Sequence, residues 1–353
     1  MAFCLSLSCG GTPAWAGTAY VDGISDQSLT SWAGTVAEAS GSRIELARYV
    51  VQWDVMSGVG YPEELANLRS WYDRALELRL TPELALDNYN CDGCEDPKGT
   101  AEYTSELEAL FRSFPGIKVV EAWNEPNDAH YTSYLSPTAA AQLMNAAYSF
   151  CAAHGCTAIA GDLLDSEPSL VEYEEAYERG LAPRDPGNWG IHPYHAVKYM
   201  SDGTLRSFRE ALPSPATDHI WFTEAGAYYC EAGRTYGERS QEEQARFLMD
   251  DLMPEFQPTH VFYYDIASSY GEPPACDSQQ SDTALYAATG GDGPLVARSA
   301  ASVIFGSPSA LSASAGSAAT LQPTSHSYLA CEPALDEQWQ RRECSLTLEL
   351  FEI

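Results

Sequence analysis

Lysine is almost missing from this chain, with Lys98, Lys118 and Lys198 the only three in 353 residues. Basic residues total 19 against 50 acidic ones, for a formal net charge of -31 at pH 7. A surface of that sign repels nucleic acid and other polyanions, so a neutral partner is expected. No run of about 18 apolar residues occurs, which argues against a membrane-spanning helix. Neither G-x-G-x-x-G nor G-x-x-x-x-G-K follows any strand-like run, so the usual phosphate cradles of nucleotide binding are absent from the sequence. Cys91-Asp92-Gly93-Cys94 has no second C-x-x-C and no nearby His to complete a zinc ligand set. No metal and no organic cofactor are expected.

Hydrophobic residues make up 45% of the chain, enough for one large core. Residues 1–42 contain no Lys or Arg, yet a short apolar stretch closes in Ala14-Trp15-Ala16. That stretch reads as a truncated secretory signal over 1–16, or else as a loosely ordered arm. The ten cysteines fall in close couples: Cys4/Cys9, Cys91/Cys94, Cys151/Cys156, Cys230/Cys276 and Cys331/Cys344. Such usage suits disulfides in an oxidising compartment, hence a secreted or cell-surface protein. Eight cysteines, left after removal of the signal, admit 105 pairings, of which pairing between neighbours is preferred.

Eight short β-rich runs recur, each followed by a helical candidate: 18–25, 44–51, 81–87, 117–123, 157–163, 188–194, 219–225 and 260–266. Amphipathic stretches at 61–80, 100–114, 136–155, 168–180 and 239–252 are the best helices, several opening on Ser, Thr or Pro and two closing on Gly. An eighth helix is expected from Pro294 to Ile304. Alternation of this kind implies parallel strands, and eight units over roughly 280 residues fit a (β/α)8 TIM barrel at 17–306. A doubly wound open sheet is the alternative, disfavoured by the missing glycine motifs. Residues 307–353 read as a Ser/Ala-rich linker and a short C-terminal extension.

In such a barrel, reactive side chains project from the C-terminal ends of the strands. Polar residues at those ends include Arg48 and Trp53 (second), Asp87 and Asn88 (third), Asn124 and Glu125 (fourth), Asp162 (fifth), His192 and Tyr194 (sixth), Glu224 (seventh), and Tyr264 and Asp265 (eighth). Two are glutamates, 99 residues apart. A convergent carboxyl pair is what glycoside hydrolysis needs, one to protonate the departing oxygen and one to attack the anomeric carbon. Asp162 and Asp265 read as hydrogen-bonded loop residues, and Trp53 as a surface for stacking on sugar.

The segments WNEPN at 123–127, IHPYH at 191–195 and WFTEAG at 221–226 together resemble the retaining glycoside hydrolases of clan A, over roughly residues 19 to 305. The nearest pattern is the family 39-like group. That resemblance implies Glu125 as general acid/base and Glu224 as nucleophile. It further implies Asn124 on the sugar 2-hydroxyl, His192 and Tyr194 lining the cleft, and Arg48 holding Glu224 ionised. Tyr263 and Tyr264 stand where many clan members carry a Trp, and the tail is too short for the β-sandwich of typical family 39 enzymes. The expectation is a monomeric retaining O-glycoside hydrolase acting on a neutral oligo- or polysaccharide. A non-catalytic carbohydrate-binding or adhesive barrel is the alternative.

Overall fold

The computed structural model describes residues 20–27, 43–57, 62–88, 96–129, 133–166, 169–271, 281–288 and 295–305. All of these fall within one compact unit, Met1–Ala318. The expected signal at 1–16, the extension at 307–353 and Cys4, Cys9, Cys91, Cys94, Cys276, Cys331 and Cys344 lie outside the described residues.

Eight strands close a barrel of parallel neighbours. In chain order they are Gly23–Ser25, Leu46–Gln52, Thr81–Asp87, Val119–Glu121, Thr157–Leu164, Asn188–His192, His219–Ala225 and His260–Tyr263. Gly23–Ser25 pairs with both Leu46–Gln52 and His260–Tyr263, which joins the first strand to the last and leaves no edge. All eight expected strands exist, the first, fourth, sixth and eighth being clearly shorter than expected.

The helices form where the sequence repeats apolar residues every three or four positions. Pro62–Glu77 opens on Pro with Glu63 and Glu64 in its first turn, and buries Leu68, Trp71, Tyr72 and Ala75 along one stripe. Pro137–His154 is capped by Ser136, whose hydroxyl accepts from the Ala139 amide, and is stopped by Gly155 at φ 73°. Cys151 and Cys156 form a disulfide across that helix end. Cys230 is also disulfide-bonded, to a partner outside the described residues.

Two expectations need correction. The helix expected from Pro294 is Ser299–Phe305, because Leu295–Ala297 instead pairs antiparallel with Tyr286–Ala288. The segment at 239–252 is an α-helix, Gly237–Arg246, that relaxes into a π-helix at Phe247–Leu252. Helices Tyr194–Tyr199 and Gly203–Ala211, between the sixth and seventh strands, were not singled out by periodicity.

Inside the barrel, Leu46, Val119, Ile159, Trp221 and Phe262 form an apolar plug. The first strand must carry glycine here, since a Cβ on Gly23 would come within 2.4 Å of the Phe262 ring. Toward the strand ends the filling turns from apolar to charged.

Candidate active site

Arg48, on the second strand, is fully buried at the centre of that charged layer. Its Nε and Nη2 donate to the two Glu121 carboxylate oxygens at 2.7 and 2.6 Å, a forked pairing of planar groups. Nη2 also reaches Asn124 Oδ1 at 2.8 Å and Asp162 Oδ2 at 3.2 Å. Nη1 donates to Ser25 Oγ at 2.9 Å and to Glu224 Oε1. Burial disfavours its charge, but the carboxylates of Glu121, Glu224 and Asp162 outweigh this and lift its pKa well above the ordinary value.

Glu224 ends the seventh strand and keeps about a tenth of its side chain exposed. Its Oε2 accepts from the Tyr194 hydroxyl at 2.8 Å, while Oε1 faces Arg48 and Ser25. Gly226, two residues on, is packed so closely that a Cβ would lie 2.3 Å from the Tyr264 carbonyl oxygen. The chain therefore leaves the seventh strand along one narrow path, which fixes the direction of Glu224.

Glu125 stands just past the fourth strand with φ 43°, a left-handed conformation held by its amide bonding to the Asp162 carbonyl at 3.0 Å. Its Oε1 lies 2.7 Å from His192 Nδ1. The same nitrogen is 3.8 Å from Glu224 Oε2, so His192 sits between the two glutamates. Ligand-type atoms of Glu125, His192 and Glu224 all lie within 4.8 Å of one another. Burial pushes the Glu125 carboxyl up; the hydrogen bond from His192 pulls it back, and the Glu224 charge adds to the rise.

Asn124 is committed on both sides, its Oδ1 to Arg48 and its Nδ2 to Asp87 Oδ2 at 3.0 Å. His192 is wholly buried with both ring nitrogens facing carboxylates, so it is a support for Glu125 and not an exposed lining residue. Trp53 is 3% exposed within the core and presents no open face for a sugar ring. Tyr264, by contrast, is half-buried beside the cleft with its ring 6.5 Å from that of Tyr194. Tyr263 is buried, accepting from the Ala227 amide and donating to the Thr283 carbonyl.

Three acidic residues matter more than their strand positions alone suggested. Glu121 shares an inward face with Val119, because alternate residues of a strand point the same way. A carboxylate inside such a short apolar strand was the available signal. Asp162 is inside the strand and not in a loop. The register shifts between Gly161 and Leu163, and this bulge, with Asp162 at φ 54°, turns its side chain into the barrel. Burial opposes its charge, yet His192 and Arg48 hold its pKa below the usual carboxylate range. Glu83 is fully buried with no hydrogen-bond partner on either oxygen among the described residues; burial pushes its carboxyl up, and Glu121 and Arg48 pull it partly back.

No family model and no curated protein matches the chain. Solved structures do. A glycoside hydrolase family 10 xylanase from Bispora sp. MEY-1 with xylobiose superposes with a TM-score of 0.56 at 11% identity, over 80% of this chain and 95% of that one. A family 128 endo-β-1,3-glucanase from Pseudomonas viridiflava gives 0.51 at 17% identity, over 82% and 98%. A family 30 endoxylanase from Clostridium papyrosolvens C71 gives 0.47 at 12%, and there the chain covers 71% of itself and spans 65% of that chain. At these identities the likeness is one of fold, and the nearness to family 39 gains no support from these matches.

Proposed function

We propose that the chain is a retaining O-glycoside hydrolase acting on a neutral glycan, with Glu224 as nucleophile and Glu125 as general acid/base. The observation that carries this reading is the convergence of the two carboxyl groups. Their interacting oxygens lie within 4.8 Å of one another. Carboxyls about 5 to 5.5 Å apart suit retention, whereas about 6.5 to 9.5 Å leaves room for the water of an inverting enzyme. The family 10 xylanase and the family 128 endo-β-1,3-glucanase, which share this fold, are glycan-cleaving enzymes, which supports the substrate class.

The chemistry follows from the two environments. Glu224, with Arg48 on one oxygen and the Tyr194 hydroxyl on the other, is aimed and charge-compensated for attack on an anomeric carbon. Glu125, raised by burial and by the Glu224 charge, keeps a proton to give to the departing oxygen. Once Glu224 is esterified, its charge is gone and the repulsion that helped hold that proton disappears. Glu125 then accepts a proton from the attacking water. The acidic surface repels anionic polysaccharides, which leaves neutral ones as the fitting substrates.

A panel of aryl glycosides and polysaccharides tests the reading. Sugar release by the wild-type protein is expected, with loss in both Glu224→Ala and Glu125→Ala. Azide should rescue both, giving a glycosyl azide of inverted configuration from the first variant and of retained configuration from the second. Undiminished hydrolysis by Glu224→Ala would sink the nucleophile assignment.

A further inference from the structure

Asp162 touches neither the mouth of the cleft nor open solvent, being 1% exposed. It nevertheless receives three donors. Thr223 Oγ1 and His192 Nε2 meet at its Oδ1, the latter at 3.1 Å, and Arg48 Nη2 meets Oδ2 at 3.2 Å. Glycine at 190 clears this space, since a Cβ there would stand 3.0 Å from Asp162 Oδ1 and 3.1 Å from Thr223 Oγ1.

We propose that Asp162 is a positioning residue that holds His192 as a fixed imidazolium, with both ring nitrogens protonated, and through that ring orients and stabilises the Glu125 carboxylate. The role of Glu125 rests on the functional reading above; the state of His192 does not.

The geometry leaves little choice of proton placement. Asp162 is ion-paired with Arg48 and as a carboxylate only accepts, so the hydrogen between it and His192 belongs to Nε2. On the other side, Nδ1 faces Glu125 Oε1 at 2.7 Å and Glu224 Oε2 at 3.8 Å. Glu224 Oε2 already accepts from Tyr194, so it offers no hydrogen to that nitrogen. A neutral ring would point a lone pair toward Glu224 Oε2, which has no hydrogen to give; with the Glu125 proton on Oε2, the oxygen not held by His192, a protonated Nδ1 serves Glu125 Oε1 and faces the Glu224 charge. The charged and titratable groups around the ring are Asp162 from the fifth strand, Glu121 from the fourth, Glu125 from beyond the end of the fourth and Glu224 from the seventh. The Tyr194 ring stands edge-on at 6.1 Å, and Arg48 acts from across Asp162. Burial works against the imidazolium, but Asp162 and Glu224 prevail and lift its pKa to about 10.

The consequence for the reaction is that His192 acts as a fixed charge and not as a proton relay. When Glu125 gives its proton to the leaving oxygen, the new carboxylate finds a donor already in place at 2.7 Å. When it takes a proton back from water, His192 keeps both of its own.

The test follows the ring nitrogens of His192 by NMR in protein labelled with nitrogen-15 histidine, between pH 5 and 9. The signal is assigned by its loss in His192→Gln. In the wild type both nitrogens are expected to stay protonated across that range. In Asp162→Asn the ring should titrate inside it, because an opposite charge in contact shifts a pKa by about one to three units. Thr223→Val, which removes only the hydroxyl on the same oxygen, should leave the imidazolium intact and keeps the comparison open where the Asn variant fails to fold. A wild-type ring that titrates near its ordinary value of about 6.5 overturns the proposal, as does an unchanged titration in Asp162→Asn. The measurement needs no substrate. A fixed imidazolium in a protein that cleaves no glycoside would therefore count against the hydrolase reading alone.

Discussion

Replacing Arg48 with Met keeps most of the side-chain volume and removes the guanidinium paired with Glu121. Arg48 is fully buried and donates to Glu121, Asp162, Glu224, Asn124 and Ser25. Each contact with a carboxylate at about 4 Å is worth at most about 4 kcal/mol at an effective dielectric near 20. Desolvation offsets much of that, and removing one partner of a buried pair costs about 3–5 kcal/mol in practice. For a domain of this size the loss corresponds to a fall in Tm of roughly 4 to 8 °C.

The loss should also depend on pH. Burial raises the folded carboxyl of Glu121, and Arg48 is the first influence that lowers it. Without Arg48 that carboxyl rises further above its unfolded value of about 4.3. A raised group contributes stability below the unfolded pKa and loses it as pH climbs toward the folded one. The gap between wild type and Arg48→Met should therefore be small at pH 5 and widest at pH 7.5 and above. Denaturant melts of both proteins at the two pH values measure it. Adding Glu121→Leu should restore part of the stability, because the unpaired charge goes with it, while leaving activity lost. A gap of less than about 1 kcal/mol at pH 7.5, or one equal at both pH values, would refute the reasoning.

Tyr194→Phe removes the hydroxyl on Glu224 Oε2; a hydrogen bond to a charged group supports about a 10- to 100-fold fall in kcat, read with any substrate the panel identifies. Gly226→Ala forces a Cβ to 2.3 Å from the Tyr264 carbonyl oxygen and 2.8 Å from Thr283 Cβ. Overpacking against backbone should cost about 1–3 kcal/mol in a denaturant melt, with activity falling further as Glu224 is displaced. Converting both Cys151 and Cys156 to Ser opens a ring with a sequence separation of 5, and loop closure that short predicts a loss of only about 2 kcal/mol by thermal melting.

Much of the architecture was legible because short β-rich runs marked all eight strands, and stripes such as Leu68, Trp71, Tyr72 and Ala75 marked the helices between them. Boundaries were less legible: Leu295–Ala297 carries residues that suit either state, and its pairing with Tyr286–Ala288 settled it. At the site, Glu125, Glu224, Arg48, Asn124, His192 and Tyr194 were all visible as polar residues at strand ends, and the barrel does bring them together. Trp53 was visible too, but burial gives it to the core.

What the sequence alone determined is the alternation of strand and helix and the sign of the surface charge, because both depend on side chains read a few residues at a time. Only the tertiary structure decided how the charges inside the barrel are shared. Arg48, Glu121, Asp162 and His192 come from four separate strands. Their partnerships depend on register, on the bulge at Asp162 and on the space left by Gly190, none of which a local pattern encodes. Closing the barrel brings Arg48 and Glu121, 73 positions apart in the sequence, into a single ion pair.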